Sequence, residues 1–109
     1  MPPERKGPNP LTGAGRPARR PPNDGARGDW LDEKFLDPVQ ETARLFVVNL
    51  KTAIRRKHGD VSVHAAAELL NVDHKSLGRI LSGASYPDLP FIVNLETKLE
   101  CRLWPSRKS

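Results

Sequence analysis

One cysteine, Cys101, is present among 109 residues. An internal disulfide and any cysteine-rich zinc module are thereby excluded, which suits a reducing, cytosolic setting. Long apolar runs are missing too: the longest, Leu45 to Val48, is far short of a membrane span. The N-terminal residues carry charge but no apolar signal-type stretch. No glycine-rich phosphate loop and no nucleophile elbow occurs. The histidines His58, His64 and His74 are spaced by 6 and 10 residues. That spacing puts no two of them on one face of a single helix, and no carboxylate or cysteine completes a metal set. Cys101 reads as a small filler at a helix end. No enzyme, cofactor, metal or small-molecule ligand is expected.

What the chain does contain is unevenly distributed. Residues 37–104 hold 31 apolar residues, whereas residues 1–28 hold five. A core-forming stretch of that length is near the lower limit for a domain without disulfides, so it should be a compact helical unit with little room for an enclosed cavity. Residues 1–28 carry seven of the eleven prolines, five of the eight glycines and six Arg or Lys. Such a chain buries too little apolar surface to offset its conformational entropy, and is expected to be disordered. Its densest piece, Arg16 to Pro22, should be extended and stiff because proline fixes φ and restrains its predecessor. Arg16, Arg19 and Arg20 would then suit an arm lying along phosphates; a solubilising tail is the alternative. The formal charge of +5 favours a polyanionic partner, nucleic acid first.

Residues 29–36 read as a helical turn or two capped by Asp29, with Trp30, Leu31, Phe35 and Leu36 supplying an apolar side that docks on the following domain. A long helix should start at Asp37-Pro38-Val39-Gln40, with Asp37 as N-cap, Pro38 at the first helical position and Gln40 as capping-box partner. Val39, Ala43, Phe46, Val47, Leu50 and Ile54 follow at helical spacing, and Gly59 offers the stop. Lys51, Arg55, Arg56 and Lys57 suit the negative end of its dipole. The last three are also candidate phosphate contacts. Ser62 should cap a short helix that ends at Leu70, with Asn71 left-handed beyond it. Asp73 should cap a second short helix, ended by Gly83. Two short helices joined by a tight turn make a helix-turn-helix. Ala67 supplies the small residue at their crossing. Ala66, Leu70, Val72, Leu77 and Ile80 would bury the inner faces, leaving His74, Lys75, Gly78, Arg79 and Ser82 outside.

From about Asp37 to Pro105 the sequence resembles the Cro and phage-repressor type of helix-turn-helix domain, often called XRE. The resemblance rests on Ala67-Glu68-Leu69-Leu70-Asn71-Val72, Leu77-Gly78-Arg79-Ile80-Leu81-Ser82-Gly83, Tyr86-Pro87, Leu95 to Leu99, and Arg102-Leu103-Trp104-Pro105. Three positions depart from the pattern: Asn71 and Glu100 stand where glycine is common, and Val63 replaces a frequent phosphate-contacting glutamine. The resemblance implies an all-α fold of four or five helices, with a fourth helix capped by Asp88 and closed by Leu103 and Trp104. It is nearest to a small phage-encoded repressor or Cro-like protein, acting in the host cytoplasm, with no further domain after it. Within it, His74, Lys75 and Arg79 are expected to read bases of double-stranded DNA. Ser62, His64, Ser76, Ser82 and Tyr86 would join Arg55, Arg56 and Lys57 on phosphates. The expected organisation is an arm over 1–28, the DNA-binding domain over 29–105 and a short basic tail over 106–109. The protein is expected to be a monomer or weak homodimer. An antitoxin or protein-docking module is the competing reading; it would put apolar residues on the outer face of the second helix.

Overall fold

Proline at the first helical position and an apolar stripe at helical spacing produce α1, Pro38–His58. It is the central element of a computed structural model that describes residues 20–105. Of the arm expected over residues 1–28, residues 1–19 lie outside the described residues, as does the tail over 106–109. Three further helices follow: α2 (Val63–Leu70), α3 (His74–Leu81) and α4 (Leu89–Leu99). A short 3-10 turn, Trp30–Asp32, precedes them. Among the described residues there is no strand, and the fold is all-α. No helix of the described residues is long and apolar enough to cross a membrane.

The local stop and start signals act where they stand. The Ser62 hydroxyl accepts from the Ala65 N–H at 3.1 Å, the Asp73 carboxylate from Ser76 at 2.9 Å, and Asp88 from Phe91 at 2.9 Å. Each satisfies an otherwise orphaned amide in the first turn. Asn71 is left-handed at φ 57°, which brings its own N–H and that of Val72 back onto the carbonyls of α2. Glu100 ends α4 in the same conformation, φ 56°. These caps bring α2 and α3 together as a helix-turn-helix, with Ala67 and Leu77 both buried. The core joins them to Phe46, Val47, Leu50, Leu70, Leu95 and Leu103.

Five expectations need correction. Residues 20–28 are not a loose continuation of an arm: Pro22 is buried, and the Gln40 side-chain amide donates to the carbonyls of Pro22 at 3.0 Å and Asp24 at 2.9 Å. Gln40 is therefore committed across the fold rather than to a capping box, and Asp37 makes no side-chain cap bond. The packed fold therefore takes in residues 20–28 as well as 29–105. Glu41 instead receives the Phe35 N–H at 2.9 Å and a two-pronged Arg44 at 2.9 and 2.6 Å, while Arg44 also donates to the Leu31 carbonyl at 2.8 Å. That network pins the connection into α1 and turns Leu36 fully outward, off the apolar side expected for it. Val39 is likewise exposed, on the wall of an open groove beside Pro87 and Trp104. Finally, Leu103 is buried but Trp104 stays 48% exposed. The Glu96 carboxylate holds that end, accepting the N–H groups of Leu103 at 2.8 Å and Trp104 at 3.0 Å.

Candidate nucleic-acid interface

Helix α3 has a sharply two-sided composition. Leu77 and Ile80 face the core, and His74, Lys75, Ser76, Arg79 and Ser82 are exposed. Lys75 and Arg79 form no ion pair among the described residues, so their charge is directed at solvent. Arg79 is held by a hydrogen bond from Nε to the Ser85 hydroxyl at 3.0 Å. The bond uses one donor and leaves the outer edge of the guanidinium open. Gly78, expected on the outer face, is half-buried, and a β-carbon built there would sit 3.8 Å from the Val63 side chain. The first turn of α2 thus leans over the middle of α3.

Two residues far apart in sequence meet at this surface. The imidazoles of His64 and His74 lie with ring centroids 4.7 Å apart and planes tilted by 45°. Each belongs to the first turn of its helix, where backbone amides point outward with partial positive charge. Spacing along one helix could not have shown this pair, because the turn at Asn71 is what folds one residue onto the other. No group of three or more His, Cys, Asp or Glu among the described residues is arranged to hold a metal ion. The Asp73 carboxylate lies at the same end. The backbone and hydroxyl donors of Ser76 hold its pKa below the ordinary carboxylate value. It stays ionised as the cap of α3.

The cations at the end of α1 fall into two groups. Lys51, Arg55 and Ser62 line one shallow depression of about 340 Å³ between α1 and the start of α2. Arg56 is exposed and forms no ion pair among the described residues. Arg55 and Lys57 have acidic neighbours from outside the helix: Arg55 meets Asp60 at 3.3 Å, and Lys57 meets Glu100 at 3.0 Å. Both pairs are exposed, so each is worth at most about 1 kcal/mol and is readily exchanged for another anion. Ser76 and Arg79 line a second depression, of about 190 Å³, beside Phe91.

Tyr86 does not fit its expected place. The residue is half-buried and its hydroxyl oxygen is shielded from solvent, so it cannot meet a phosphate without moving. Its ring belongs to an apolar groove with Trp104. Ser82 is exposed at the end of α3, but its hydroxyl donates to the Arg79 carbonyl at 3.1 Å. Of the arm residues, Arg16 and Arg19 lie outside the described residues; Arg20 is exposed and pairs with Asp24 at 3.3 Å.

The sequence reading also missed what holds the far end of α3. Asn23 donates its backbone N–H to the Gly83 carbonyl and its side-chain amide to the Ser82 carbonyl, both at 3.0 Å. The Trp30 indole donates to the Leu81 carbonyl at 3.0 Å. Three successive carbonyls at the C-terminal end of α3 are thus satisfied by one N-terminal strap. The only local signal for it was Trp30 itself, an aromatic beside a polar tail. Comparison with protein-family models, with curated proteins and with solved structures found no match to this chain.

Proposed function

We propose that the protein binds double-stranded DNA sequence-specifically and represses transcription by inserting α3 in the major groove. The observation that carries this reading is the outer face of α3: His74, Lys75 and Arg79 are exposed on a helix whose other side is locked into the core. Arginine in such a position matches the two acceptors of guanine, and a histidine or lysine at a helix N-terminus suits a base acceptor or phosphate. Ser62, His64 and Ser76, on the first turns of α2 and α3, are disposed for phosphates on either side. Arg55, Arg56 and Lys57 extend the cationic surface along α1. A protein-docking module would put apolar side chains on this outer face, and none stands there.

Binding in the groove excludes polymerase from an overlapping promoter, which needs no enzymatic step, cofactor or activation surface. The working form in this reading is a monomer or weak homodimer in the cytoplasm of a bacterial host, as for a small phage repressor. The test is selection of duplexes from a random-sequence pool by the full-length protein, followed by footprinting of those retained. A recurrent motif with a bounded protected stretch is expected. Retention without any enriched sequence would reduce the protein to a non-specific DNA binder, and no retention would overturn the reading.

A further inference from the structure

On the side of α1 away from the strap lies an apolar groove of about 390 Å³, walled by Pro38, Val39, Tyr86, Pro87 and Trp104 with Phe46 beneath. Phe46 is fully buried, and its ring centroid is 6.5 Å from that of the half-exposed Trp104. Aromatic side chains alternating with proline rings form the kind of surface on which a polyproline II segment docks, since that helix is preformed and loses little entropy on binding.

We propose that the groove is occupied by the chain's own segment Pro8-Asn9-Pro10-Leu11. Three observations support this occupant. The segment has the composition the groove selects, two prolines one residue apart followed by a leucine. It is also within reach: Gln40 ties Pro22 and Asp24 to the same end of α1 that forms the groove wall. From Leu11 to Arg20 the chain can span up to roughly 30 Å, against a helix diameter of roughly 10 Å. Charge agrees as well. Arg5 and Lys6 precede the segment, while Asp88 adjoins Pro87 of the wall. Docking is intramolecular, so even weak contacts are raised by the high effective concentration of a short tether. This inference is independent of the DNA reading.

The full-length chain carries the test, because its two tryptophans give two indole N–H resonances, and Trp104→Phe identifies which belongs to the groove. A nitroxide is placed at Thr12→Cys, with Cys101→Ser leaving that thiol alone. The Trp104 indole should lose most of its intensity and the Trp30 indole little, and the effect should survive dilution. Pro8→Ser, Pro10→Ser and Leu11→Ser introduced together should abolish the broadening and shift the Trp104 signal. Equal intensities at both indoles, or no response to the triple substitution, would overturn the proposal. Broadening that disappears on dilution, or that passes from labelled chains to isotope-labelled unmodified ones, would also overturn it and give the groove to a second copy.

Discussion

The indole of Trp30 fills the space that a side chain at Gly83 would need: a β-carbon built on Gly83 would lie 2.7 Å from two ring carbons and 2.8 Å from the β-carbon of Asn23. Gly83 is also left-handed, at φ 82°. Gly83→Ala therefore combines backbone strain with overpacking of a ring held by its bond to Leu81, and should cost roughly 2 to 5 kcal/mol. Chemical denaturation checks it; a midpoint unchanged from the parent would mean that the strap does not pack as described.

The crossing of α2 and α3 gives a second stability prediction. Leu77 is fully buried and Ala67 nearly so. Leu77→Ala should cost roughly 2 to 5 kcal/mol through lost contacts and a residual cavity. Ala67→Leu should cost roughly 1 to 3 kcal/mol by overpacking. Thermal unfolding of both variants measures these effects, and either one at parental stability would refute the packing at that position.

Arg79 separates base reading from phosphate binding. On a selected duplex, Arg79→Ala should weaken binding by about 1 to 3 kcal/mol, and by less on random DNA. Titrations on both duplexes decide between the roles; equal losses would make Arg79 a phosphate contact. Because its Nε is bonded to Ser85, Ser85→Ala should reproduce a smaller part of the same effect.

The basic arm is tested through salt. Each phosphate neutralised contributes about −0.9 to the slope of log affinity against log salt, so losing Arg16 and Arg19 with residues 1–19 should flatten that slope by about 1.8. The domain from residue 20 onward should remain folded. Deletion through residue 28 removes Asn23 and the carbonyls that Gln40 holds, and should in addition lower the thermal midpoint. Identical salt slopes for the full chain and the shorter deletion would remove the arm from the interface.

Acid stability follows from two carboxylates. The N–H groups of Trp104 and Leu103 lower the pKa of Glu96, and the Arg44 side chain lowers that of Glu41. Both are lower folded than unfolded, so their contribution is full above the ordinary glutamate value of about 4.3 and is lost as pH falls through the folded values. Glu96→Gln should therefore lower stability at neutral pH and make the melting temperature less sensitive to acid below that range. A pH series of thermal scans tests this, and a parallel offset at every pH would exclude a role for the carboxylate charge.

Determined by the sequence alone were the features whose cause lies within a few residues. Ser62, Asp73 and Asp88 cap amides three residues on, Asn71 tolerates the left-handed turn, and the apolar spacing in α2 and α3 selects which faces are buried. An amphipathic helix keeps its polar side outward, so His74, Lys75 and Arg79 were legible as a surface set before any packing was known. The tertiary structure decided everything whose partner is distant in the chain. Gln40 reaches back to Pro22, Asn23 and Trp30 cap α3 from 59 and 51 residues away, Lys57 meets Glu100, and Tyr86 turns its hydroxyl inward. His64 and His74 become neighbours only because α2 folds back on α3. Local propensity carries no record of such pairings, since they form when buried surfaces close and the remaining polar groups take whichever donor or acceptor the packing brings within reach.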